Sequence, residues 1–187
     1  MRKYVPTLAA LAIALASGAP LQAQHMSSMT MVGGQMMSPA KTIVDNAVNS
    51  ADHTTLVAAV KAAGLVPTLE SKGPFTVFAP TNAAFAALPA GTVDNLLKPE
   101  NKPTLVKVLT YHVVAGDYTS AKLMAEIQKA GGTAHLKTVQ GEDLSFKMNG
   151  PRNIVVVDSK GNAANISTYD VMQSNGVIQV IDRVLMP

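Results

Sequence analysis

Four imidazoles stand in the chain, at His25, His53, His112 and His135, and there is no cysteine. Thiol catalysis and thiolate metal sites are therefore excluded. No two histidines stand at the i, i+4 or other short spacing that zinc ligands on one element need. A Gly-x-Ser-x-Gly elbow is missing, and so is a phosphate-cradling glycine loop; Gly33-Gly34 and Gly131-Gly132 read as linker and helix stop. Ser-His-Asp chemistry joins residues that meet only in space, so sequence alone does not exclude it. Nothing at a telling spacing points to it, and the chain reads as no enzyme.

A second chemistry lies upstream. Residues 24–39 carry Met26, Met29, Met31, Met36 and Met37, with His25 beside them. Thioethers are soft ligands that select Cu(I), and imidazole assists. The spacing is irregular and no partner ligand set is visible, so the methionines are read as incidental to a flexible tail, with Cu(I) binding as the weaker alternative. No resident metal or cofactor is expected.

His112 is placed differently. Leu105, Val108, Leu109 and His112 recur at i, i+3, i+4 and i+7, which puts the imidazole on the apolar stripe of a helix. It is a general base or ligand, or a neutral core histidine bonded to backbone. No acid or nucleophile stands at a useful spacing, which favours the second.

The elements around these residues follow from local rules. Arg2 and Lys3, the apolar run 8–16 and the small residues up to Ala23 read as a secretory signal peptide over 1–23. Its apolar centre is shorter than the roughly 20 residues of a membrane span. Cleavage is expected after Ala23, with Ala19 as second choice, and no cysteine near the cut offers a lipid anchor. The expected location is secreted or periplasmic, with no transmembrane segment after signal removal.

Of the 15 Lys and Arg, two leave with the leader and none of the 12 acidic residues does, so the mature balance is one positive charge. No basic cluster exists, which disfavours nucleic acid as a partner. The remaining 164 residues suit a single domain. Without disulfides, its core alone must hold it.

Residues 24–39 show no strand or helix period and read as a flexible Met-rich tail; residues 40–187 read as the folded domain. Short helices are expected over 42–49 and from Asp52, as cap, to Gly64. Phe75, Thr76, Val77, Phe78 and Ala79 form a strand ended by Pro80. Thr81 or Asn82 then caps a helix holding Phe85. Further helices are expected over 92–97, from Pro103 to His112, and from Thr119 or Ser120 to Gly131. From His135 the period changes to 2, with Leu144, Phe146 and Met148 on one face. Ile154 to Val157 reads as a strand buried on both faces, and 166–171 and 177–181 as two more. The layout is α+β.

Three pieces of this pattern resemble the fasciclin domain family: Phe75 to Phe85, the Tyr111-His112 pair, and Asn175-Gly176-Val177-Ile178-Gln179-Val180-Ile181-Asp182. They occur in the family's order, and the resemblance spans roughly 40–187. It implies a compact β-wedge or sandwich decorated by several helices. It also implies an exported non-catalytic adhesion or interaction module of the cell surface or extracellular matrix, bound to a protein or surface polymer at the cell envelope. The alternative is a carrier of a small apolar ligand such as a carotenoid, a reading that the 4% aromatic content does not favour. The family treats the Tyr-His pair as structural and as part of an adhesion-linked surface. Thr168 to Met172 occupies the place of an integrin-recognition pentapeptide in some animal members, with Asp170 and Met172 matching and Val171 replacing Ile. Tyr111, His112, Tyr169, Asp170, Val171 and Met172 are therefore the candidate partner-binding residues, with Asp170 expected to be exposed. Gln179 departs from the histidine common in related bacterial sequences.

Overall fold

A computed structural model describes residues 29–187. The leader expected over 1–23 lies outside them, as do His25 and Met26.

The Met-rich stretch is not a structureless tail where it is described. Strands β1 (Thr30–Val32) and β2 (Gln35–Met37) form a two-stranded antiparallel ribbon. Gly33 and Gly34, at φ 57° and 74°, make its two-residue turn, and positive φ at both central residues is what a type I′ hairpin requires. Val32 and Met37 are buried in the core beneath it, 8% and 3% exposed. That burial holds the ribbon, and it corrects the expected tail.

Helices α1 (Ile43–Ala47), α2 (Thr54–Ala63), α3 (Val66–Glu70), α4 (Asn82–Ala86), α5 (Thr92–Leu96), α6 (Lys102–Tyr111) and α7 (Ser120–Lys129) precede most of the strands. Their ends follow the expected chemistry in most places. Gly64 closes α2 in the left-handed conformation, Thr81 caps α4 and Thr119 caps α7 through their side chains. Asp52 does not cap α2; it sits in a 3-10 turn, Ala51–His53, that leads into the helix.

The remaining strands, β3 (Phe75–Pro80), β4 (Val113–Ala115), β5 (Thr133–Lys137), β6 (Asp143–Asn149), β7 (Asn153–Val157), β8 (Ala163–Gln173) and β9 (Gly176–Ile181), build one sheet in the order β4-β3-β9-β8-β7-β6-β5. Only β3 and β9 pair in parallel. The two edges meet again where Val114 bridges Thr138 and the Val139 N–H donates to the Val113 carbonyl at 2.7 Å. The sheet thus curls into a nearly closed wedge, which leaves little free edge.

Two apolar clusters follow from this curl. One lies between the sheet and α1, α2, α3, α4 and α6. The other fills the wedge, where Leu123 and Ile127 of α7 meet Leu144, Phe146, Ile154 and Ile181, and the Phe78 and Phe146 rings sit 5.3 Å apart. In β7, Ile154 and Val156 are fully buried while Val155 and Val157 are half-exposed. The strand has antiparallel neighbours and one wet face, so the expectation of burial on both faces is corrected.

Candidate functional site

The three sequence segments far apart in the chain meet in the sheet. Phe75 to Pro80 pairs in parallel with Gly176 to Ile181 on one side, and antiparallel with Val113 to Ala115 on the other. The Phe78 N–H donates to the His112 carbonyl at 2.9 Å. Thr76 Oγ1 donates to the Gly116 carbonyl and accepts from the Tyr118 N–H, at 2.7 and 2.8 Å. Asn82 accepts from the Thr55 N–H at 3.0 Å and donates to the Ala51 carbonyl at 2.8 Å, tying α4 to the start of α2. Asn175 accepts from the Ile43 N–H at 3.1 Å and donates to the Leu69 carbonyl at 2.7 Å. Each of these polar residues thus satisfies backbone groups of a neighbouring element.

Tyr111 and His112 end α6, and both point inward, at 0% and 2% exposure. The His112 Nδ1–H donates to the Val108 carbonyl at 2.8 Å, and Nε2 accepts from the Leu185 N–H at 2.9 Å. These partners fix the neutral tautomer. Burial pushes its pKa down to about 4, against smaller upward pulls from the Val108 carbonyl and Asp158. The Tyr111 hydroxyl donates to the Asp143 carbonyl at 3.2 Å and accepts from the Ser159 N–H at 2.9 Å, and burial raises its pKa. Neither side chain offers surface to a partner. Their place in the candidate contact set is corrected: they tie α6 to the strands and to the C-terminal segment.

The 168–172 segment is bound into the fold as well. The β8–β9 register shifts between Thr168 and Val171, and Asp170 there takes φ 54°. Its Oδ1 accepts from the Ser120 N–H at 2.6 Å and from Gln179 Nε2 at 2.8 Å; its Oδ2 accepts from the Ser120 hydroxyl at 2.5 Å. A carboxylate at the first residue of α7 also suits the positive end of that helix. Gln179, fully buried, accepts from the Asp170 N–H at 3.1 Å and donates to the Tyr118 carbonyl at the same distance. Val171 is buried at 1% exposure, and the Tyr169 hydroxyl accepts from the Ile154 N–H at 2.8 Å. Tyr169, Asp170 and Met172 are half-exposed and form the surface of this end of β8.

The expected free, exposed Asp170 is therefore corrected to a latch between β8, β9 and α7. Asp170→Ala is expected to cost about 2–3 kcal/mol, since three charge-assisted bonds are lost and the buried Gln179 amide keeps only its bonds to the residue-170 N–H and the Tyr118 carbonyl. Urea unfolding checks this. A change within about 0.5 kcal/mol, the ordinary range for a surface site, would show that the bonds do not hold the bulge.

His53 is buried at 3% exposure beside an apolar cavity of about 70 Å³. Its Nδ1 meets the Ser50 hydroxyl at 2.9 Å. Burial lowers its pKa, against smaller upward pulls from Asp52 and the Ala79 carbonyl, and Nε2 has no well-aligned partner among the described residues. The walls include Ile43, Leu56, Val60, Val77, Val171 and Ile178. Its volume lies below the roughly 300–1,000 Å³ of ordinary ligand sites. Among the described residues no three His, Asp or Glu side chains are grouped to hold a metal. No helix there is long and apolar enough to cross a membrane.

This wedge of helices on a curled mixed sheet defines a class. The sequence profile of the fasciclin domain matches residues 51–187. The chain is 44% identical over 180 residues to Protein sll1483 of Synechocystis sp., which covers 96% of this chain and 92% of that one. It is 35% identical over 170 residues to the cell surface glycolipoprotein MPB83 of Mycobacterium bovis, covering 88% of this chain and 68% of that protein. A solved FAS1 domain pair from the insect cell adhesion molecule Fasciclin I superposes with a TM-score of 0.69 at 20% identity. That match covers 79% of this chain and 51% of the other, so the chain spans about half of the pair. The chain belongs to the fasciclin domain family.

Proposed function

We propose that the chain is an exported, non-catalytic interaction module that binds a protein or surface polymer at the cell envelope. The observation that carries this is family membership, with relatives that include a cell surface glycolipoprotein and a domain pair from a cell adhesion molecule. The internal chemistry agrees. The inward polar residues Tyr111, His112 and Gln179 spend their hydrogen bonds on backbone and on Asp170, so these three serve the fold. Contact falls to outward residues, and the half-exposed Tyr169 and Met172, on either side of the Asp170 latch, are candidates for it. The signal-peptide pattern read in residues 1–23 of the sequence supports export.

The test is to recover the chain from native envelope fractions, sequence its N-terminus, and measure binding of the labelled mature chain to washed envelope. A start at Gln24 and saturable binding, competed by unlabelled chain, are expected. A cytoplasmic chain beginning at Met1, or envelope binding that is absent or not competed, would overturn the reading.

A further inference from the structure

The β1–β2 register does more than order the Met-rich stretch. Met31 stands directly opposite Met36, and Thr30 opposite Met37. Strand alternation sends Val32 and Met37 into the core and Met31 and Met36 outward; Met29, two residues before Met31, falls on the same outer side. Met29, Met31 and Met36 are 58%, 65% and 53% exposed. They are three of the five exposed large apolar side chains among the described residues, gathered on one small ribbon. Packing does not explain them, because the ribbon is held by its other face.

We propose that this outer face is a soft-metal site that takes Cu(I), or Ag(I) as its analogue, on the three thioethers of Met29, Met31 and Met36. Opposed residues on an antiparallel ribbon have Cβ atoms about 4.5–5.5 Å apart. Next-but-one residues along a strand are about 7 Å apart. Each sulfur lies two bonds beyond its Cβ on an unbranched, rotatable side chain, so three sulfurs close on one ion without backbone movement. Three neutral thioethers suit a soft monovalent cation and not Zn²⁺ or Cu²⁺, which call for thiolate, imidazole or oxygen donors. The backbone that carries them is already in place: Val32 and Met37 are buried, and the Gly33 carbonyl accepts from the Ala51 N–H. The site does not depend on the adhesion reading.

The test uses the mature chain, titrated anaerobically with Cu(I) against the chromophoric chelator bicinchoninate, with Ag(I) binding followed by calorimetry. One ion per chain and a sulfur-only first shell by X-ray absorption are expected, with no uptake of Zn²⁺. Met31→Leu with Met36→Leu keeps apolar bulk on the outer face and leaves Val32 and Met37 untouched, so the unfolding midpoint should hold while affinity falls at least tenfold. Failure to withdraw Cu(I) from the chelator would overturn the proposal. So would unchanged affinity when Met29, Met31 and Met36 are all leucine, since the ligands would then lie elsewhere.

Discussion

Gly176→Ala is expected to destabilise the domain by about 4 kcal/mol or more, among the largest losses a single methyl group can cause. A Cβ at this position would stand 1.9 Å from the Phe75 carbonyl oxygen and 2.8 Å from its nitrogen. Both are backbone atoms, so no rotamer change relieves the clash. They belong to the first pair of the parallel β3–β9 ladder, where Phe75 lies opposite Gly176. The crowding is mutual. A Cβ on Gly73 would meet the Asn175 carbonyl at 2.1 Å, and that carbonyl accepts from the Phe75 N–H at 3.1 Å. Moving one chain away to fit a methyl therefore breaks the pairing on which the two central strands depend. Gly150→Ala is the control: its Cβ would meet nothing, and only the positive φ of 81° opposes it, at a cost of about 1–2 kcal/mol. Paired denaturation curves decide the matter. Equal losses in the two variants would remove close approach as the reason for glycine at 176.

Where a feature rests on chain-local chemistry, the sequence displayed it. The strand, corner and capped helix from Phe75 to Phe85 are set by adjacent residues, and Thr81 caps as its position suggests. The helical period that placed His112 inward needed only the eight residues 105–112, and the imidazole is buried. The β1–β2 ribbon was hidden because its outer positions are also methionines, which erases the polar-apolar alternation by which a half-buried strand is recognised. Its Gly33-Gly34 turn then looked like linker. Asp170 was misread for a different reason. The groups that bind it come from Ser120, 50 residues earlier, and from Gln179 on the next strand, and no local pattern announces such a meeting. The His53 cavity likewise draws its walls from many elements of the chain. Family likeness located the segment around Asp170, but only geometry shows that its carboxylate is committed to the fold.

Protonating His112 should make the fold acid-sensitive, and removing the ring should remove that sensitivity. In the unfolded chain the imidazole titrates near 6.5; in the fold burial holds it at about 4. The unfolded state therefore binds the proton first as pH falls. The stability linked to the neutral ring is fully present above pH 6.5, declines between about 6.5 and 4, and levels off below that, where the folded ring is protonated too. A difference of this size corresponds to about 3 kcal/mol. His53, also lowered by burial, adds to the loss with the same sign. His112→Ala strips partners from the Val108 carbonyl and the Leu185 N–H and leaves a cavity, so it should start about 2–4 kcal/mol less stable at pH 7. Its stability should then fall less steeply towards pH 4 than that of the wild type. Urea unfolding at a series of pH values gives both curves, and their difference isolates His112 from carboxylates common to both. Parallel curves would mean that His112 does not carry the acid sensitivity. A variant as stable as the wild type that nonetheless lost envelope binding would make His112 a contact residue, which its two backbone hydrogen bonds and its 2% exposure argue against.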